Sequence, residues 1–144
     1  MSSRDQNIEL LKKYLKKDYM IKHSIAVEAA MEAIAVKFDR DIDLYRTAGL
    51  MHDIDYELTE KDPENHAIVG AKILHENGFE EVVCNIVLAH RKSRLAGAWP
   101  ETVIIAVDTS CHTQCPVSVR TCKTGININL INTCAELFFH KRAE

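Results

Sequence analysis

No run of apolar residues in this chain approaches the length a bilayer crossing needs, which argues against a membrane-spanning protein. The opening residues, Met1-Ser2-Ser3-Arg4-Asp5-Gln6-Asn7, lack the apolar stretch of a secretory signal, so a cytoplasmic protein is expected. An excess of positive charge is missing too. With a formal net charge of −3 there is no basic field to wrap nucleic acid, although a small basic patch beside a pocket stays compatible with it. Nor is there a cysteine framework. Cys84, Cys111, Cys115, Cys122 and Cys134 are an odd set in a chain without a signal, and reduced thiols are expected rather than disulfides. Internal repeats and low-complexity segments are absent.

What is present suits one domain. A chain of 144 residues can bury a sizeable core without disulfides or a structural metal, and 47% hydrophobic with 27% charged residues is ordinary for such a fold. Ile8, Leu11 and Leu15 predict a short amphipathic helix over about residues 5–17, packed as an outer brace. From about 19 to 38 the apolar line Met20, His23, Val27, Ala30, Ile34 predicts a helix with His23 inward and Lys22, Glu28 and Glu32 elsewhere. Asp41 can cap a third helix in which Tyr45, Ala48, Gly49 and His52 share a face, with Gly49 permitting close helix contact.

Residues 57–62 read as a loop, and Asp62-Pro63-Glu64 as the cap and first position of a fourth helix with His66 in its first turn. Its inward line is His66, Val69, Gly70, Ile73, and Asn77-Gly78 supplies a left-handed stop. A fifth helix from near Phe79 carries Val83, Ile86, Val87 and His90 on one face, followed by the basic run Arg91-Lys92-Ser93-Arg94. Pro100 can open a sixth, ending at Asp108. Beyond it, residues 109–125 have weak helical preference; residues 130–138 suggest a final helix, although Ile126, Ile128 and Leu130 also alternate as a strand would. The expectation is an all-α, compact bundle of about six or seven helices.

Gathered in order, the inward polar residues are His23, His52, Asp53, His66, His90 and Asp108, on different helices except the adjacent pair His52-Asp53. A lone buried histidine is ordinarily bonded to backbone, and a lone aspartate ordinarily caps a turn. Six such groups aimed at one interior are another matter, because each adds desolvation cost that one shared cation would compensate. Imidazole nitrogens and carboxylate oxygens suit a divalent ion. Asp55 either orients a ligand histidine or a bound water, or merely ends the helix; Tyr56 and Glu57 line an entrance or face solvent. These three stay outside the site set, and His75, His112 and His140 are assigned to solvent. A zinc site from Cys111, His112, Cys115 and Cys122 is disfavoured, since only one loose Cys-x-x-x-Cys hook is present.

The order His, then His-Asp, then an isolated Asp, on a helical pattern, resembles the HD-domain superfamily of metal-dependent phosphohydrolases. Within it, residues 49–59 (Gly-Leu-Met-His-Asp-Ile-Asp-Tyr-Glu-Leu-Thr) followed by Asp62-Pro63-Glu64-Asn65-His66 look like a group of small predicted HD hydrolases. The resemblance covers about residues 10–108 of a single domain spanning 1–144, and leaves 109–144 as a divergent C-terminal segment. It implies that His23, His52, Asp53 and Asp108 bind one divalent metal. His66 and His90 match positions that take a second ion in two-metal members, with Asp53 bridging. Manganese, iron, cobalt, nickel, zinc and magnesium are not distinguished.

The function so implied is hydrolysis of a small phosphorylated compound such as a nucleotide by metal-activated water. Asp53 would position the nucleophile, and Arg91, Lys92 or Arg94 would neutralise the phosphate, unless that run is simply a solvated helix end. The rival from another class is a non-catalytic HD module that binds metal and nucleotide as a sensor or interaction domain. A small phosphorylated molecule is the expected partner, not nucleic acid or membrane, and a homo-oligomer is compatible with the sequence.

Overall fold

The computed structural model describes residues 3–90, all-helical with no strand among them. Helix α1 spans Arg4–Tyr14, α2 Asp18–Lys37, α3 Ile42–Met51, α4 Ile68–Glu76 and α5 Glu81–His90, with a 3-10 turn at Pro63–Asn65. The helix expected up to Asp108, the final helix and the divergent tail lie outside the described residues.

Helix α1 starts with a reciprocal cap: Ser3 accepts from the Gln6 amide while the Gln6 side chain accepts from the Ser3 amide. It stops at Tyr14, three residues short of expectation. The reason is Glu57, whose Oε1 accepts from the amides of Lys16 and Lys17 at 2.9 and 2.7 Å. Those amides leave the helical path, and the same carboxylate places negative charge at the start of α2.

Helices α2 and α3 form the most extensive pair, α4 packs on α5, and α3 also touches α1 and α5. Gly49 lies at the α2–α3 crossing. A β-carbon there would stand 2.9 Å from Met31 Cγ, 3.0 Å from the Val27 carbonyl oxygen and 3.1 Å from Glu28 Cα, so only glycine lets the backbones approach this closely. The expected role of Gly49 is thus met. Asp41 caps α3 by accepting from the Leu44 amide at 2.9 Å.

Glu28, which lies off the inward apolar line of α2, is nonetheless buried. It is 4% exposed, and Arg4 grips its two oxygens at 2.7 and 2.8 Å, with Arg46 3.7 Å away. Packing of α1 over the α2–α3 pair covers this side of α2, so the carboxylate is buried together with its counter-charge.

The stretch between α3 and α4 departs furthest from the local pattern. Asp62 makes no side-chain cap, the Pro63–Asn65 turn ends at once, and His66 precedes α4 instead of lying in its first turn. Ala67 then adopts φ 66°, a left-handed conformation uncommon for a residue with a β-carbon. The start of α4 belongs to a different carboxylate: Asp55 Oδ2 accepts from the amides of Ala67 and Gly70 at 2.8 and 2.9 Å. At the far end, Gly78 takes φ 78° after Asn77, the stop that the sequence predicts. Helix α5 begins two residues later than expected.

Candidate metal centre

His23 comes from the middle of α2, while His52 and Asp53 come from the end of α3 and the turn after it; all three are buried, at 2%, 0% and 2% exposure. The close crossing at Gly49 brings these elements together. His23 Nε2 lies 3.2 Å from His52 Nε2, and Asp53 Oδ2 lies 3.4 and 3.0 Å from the two nitrogens. Donor atoms about 2.1 Å from a common ion stand about 3.0 Å apart at an octahedral edge and about 3.4 Å apart at a tetrahedral one. The three observed separations fall in that interval.

The tautomer of His52 agrees with this use. Its Nδ1 is 2.8 Å from the Gly49 carbonyl oxygen, and a carbonyl can only accept, so Nδ1 carries a proton. In the neutral ring Nε2 then presents a lone pair to His23 and Asp53, an arrangement common in metal-binding histidines. Two imidazole nitrogens and a carboxylate oxygen fit a divalent ion chemically as well as spatially, and this trio is the one metal-capable cluster of its kind among the described residues.

His66 approaches Asp53 from the other side. Its Nε2 is 3.3 Å from Asp53 Oδ1, and its Nδ1 is 3.1 Å from Asp55 Oδ1. Asp53 therefore spends one oxygen on the His23–His52 pair and turns the other to His66. In ion-free protein burial alone would raise the Asp53 pKa, but a His52 ring that is protonated on Nε2 as well, through its charge and its hydrogen bond, together with hydrogen bonds from His23 and His66, outweighs it and holds the carboxyl well below its usual range. His66 responds oppositely. The attraction of Asp53, then of Asp55, against the cost of burial, pushes it up to about 10 in the absence of an ion. Its ring keeps 22% exposure and so borders solvent.

Of the residues singled out by sequence, His23, His52, Asp53 and His66 are brought together. His90 closes α5, but its side chain, like Arg91, Lys92, Arg94 and Asp108, lies outside the described residues. His75 is exposed, as expected. The residue omitted from the expected site is Asp55, fully buried and in contact with His66. It sits in a turn where helical periodicity carries no signal. Its position two residues past Asp53 was the only hint.

Comparison with known proteins agrees with this geometry. The HD domain matches residues 20–110, most of the chain, and the chain belongs to the HD domain family, a superfamily of metal-dependent phosphohydrolases. It is 40% identical over 83 residues to a tRNA (cytidine(56)-2'-O)-methyltransferase of Thermoplasma volcanium, covering 58% of this chain and 24% of that protein. A Ribonuclease Y of Thermosipho melanesiensis is 31% identical over 87 residues, covering 60% of this chain and 17% of the other. An uncharacterised protein of Methanocaldococcus jannaschii is 39% identical over 83 residues, covering 54% and 48%. The chain thus spans less than half the length of each of these relatives. No solved structure matches it. No helix among the described residues is long and apolar enough to cross a membrane.

Proposed function

We propose that this protein is a metal-dependent phosphohydrolase acting on a small phosphorylated substrate, a nucleotide being the first candidate. The observation that carries the reading is the buried trio His23, His52, Asp53, whose donor atoms stand at coordination-edge distances in a member of the HD family. When bound, a divalent cation supplies Lewis acidity toward water and a phosphoryl oxygen. The chain's own groups do the rest. His23 and His52 present ring nitrogens, and Asp53 stays ionised and sets the direction of approach. Asp108 is proposed as the fourth ligand, and His66 and His90 as holders of a second ion. His66 without such an ion is a cation at the solvent edge, suited to meet a phosphate. Arg91, Lys92 and Arg94 are proposed to neutralise the rest of its charge.

The test is a panel of nucleotides, phosphodiesters and short oligoribonucleotides, the last included because relatives are named Ribonuclease Y. Each is incubated with purified protein and manganese, cobalt or nickel. Release of phosphate or nucleoside is expected, and His52→Ala should abolish both turnover and metal retention. Metal retention with no turnover across the panel sinks the catalytic reading. It would favour a metal- and nucleotide-binding module, an alternative supported by the match to part of a methyltransferase, whose name states a different chemistry.

A further inference from the structure

We propose that Asp55 is the positioning residue for His66, ordering that imidazole and the start of α4 through one buried carboxylate. The proposal deepens the phosphohydrolase reading and rests on it. The two oxygens of Asp55 have different tasks. Oδ2 is committed to backbone, accepting from the amides of Ala67 and Gly70. Oδ1 has no aligned hydrogen-bond donor in a residue that is 0% exposed, and His66 Nδ1 stands 3.1 Å from it. A buried acceptor left without a donor is costly, which favours any ring state with a proton on Nδ1. That state turns Nε2 to Asp53 Oδ1, 3.3 Å away.

Neighbouring residues are arranged around this contact. A β-carbon on Gly70 would come within 3.1 Å of Asp55 Oδ1 and 3.2 Å of its Cγ, so the glycine keeps room for the carboxylate. Thr59 Oγ1 donates to the Asp55 carbonyl oxygen at 2.9 Å and lies 3.5 Å from His66 Nδ1, bracing the turn against the ring. The left-handed Ala67, next to His66, is the residue whose amide Asp55 holds. A carboxylate behind a histidine that faces a metal site fixes the ring's tautomer and direction, and loss of such a partner typically costs 10- to 100-fold in affinity or activity.

Asp55→Asn separates the two tasks. Its carbonyl oxygen can keep the Ala67 and Gly70 amides, because flipping the amide group would lose both bonds to gain one. Its NH2 then faces Nδ1 as a donor and reverses the polarity of the contact. The measurements are circular dichroism for the fold, nitrogen-15 shifts of the His66 ring in zinc-loaded protein, and manganese-supported turnover of Asp55→Asn, His66→Ala and the double variant. The expectation is a folded Asp55→Asn protein whose ring proton has moved from Nδ1 to Nε2. Turnover should fall roughly 10- to 100-fold, with the double variant no worse than His66→Ala. An unchanged ring pattern, or losses that multiply in the double variant, overturns the proposal. Should Asp55→Asn not fold, Gly70→Ala crowds the same oxygen, and unshifted His66 resonances there overturn it equally. A reversed ring pattern in a protein without turnover on any substrate would sink the phosphohydrolase reading and leave the positioning role standing.

Discussion

At the scale of single residues, the site works by constraining protons. The Gly49 carbonyl fixes the proton of His52 on Nδ1, and each ring nitrogen of His66 faces a carboxylate of its own. For His66 the consequence can be measured in ion-free protein. Its folded-state pKa of about 10 lies above the ordinary value of 6.5, so its contribution to stability is complete below about pH 6.5 and is lost as pH rises toward 10. Denaturation of chelator-treated protein across that window should show wild type losing stability relative to His66→Ala. Parallel curves for the two would mean that the ring does not hold its proton as described.

At the scale of elements, the crossing of α2 and α3 decides whether His23 meets His52 at all. Gly49→Ala inserts a carbon within 3.0 Å of the Val27 carbonyl oxygen, a backbone atom that cannot swing away. The variant is expected to lose about 1–3 kcal/mol of stability by overpacking. It should also bind manganese more weakly, because separating the helices pulls the two Nε2 atoms apart. Thermal unfolding and calorimetric titration check the two effects, and intact affinity in a destabilised variant would uncouple crossing from site. Local signals served well here: Asp41, Gly49 and Gly78 act as their residue types predict. They failed between α3 and α4, where Asp55 rather than Asp62 organises the helix start.

At the scale of the whole molecule, the described helices bury several ionisable groups together, and a shared cation would lower the cost. Wild type at an ion concentration about 100 times the dissociation constant should gain about 2.7 kcal/mol of stability. His52→Ala should gain far less. An equal rise in melting temperature for both would place ion binding somewhere other than this trio. The chain's relatives extend well beyond the matched region, so the activity of each whole relative is a separate matter from the chemistry of this domain.

Periodicity and residue type alone were enough to establish helical elements, one capped start, one glycine stop, and an inward His23 and His52-Asp53, because these are properties of neighbours three or four residues apart. Tertiary structure alone decided that Glu28 is buried against Arg4, that His66 stands before α4, and that Asp55 serves both α4 and His66. Those outcomes depend on contacts between residues distant in sequence or set in turns. There the backbone has no fixed period, and a carboxylate finds its partners only after the helices have packed.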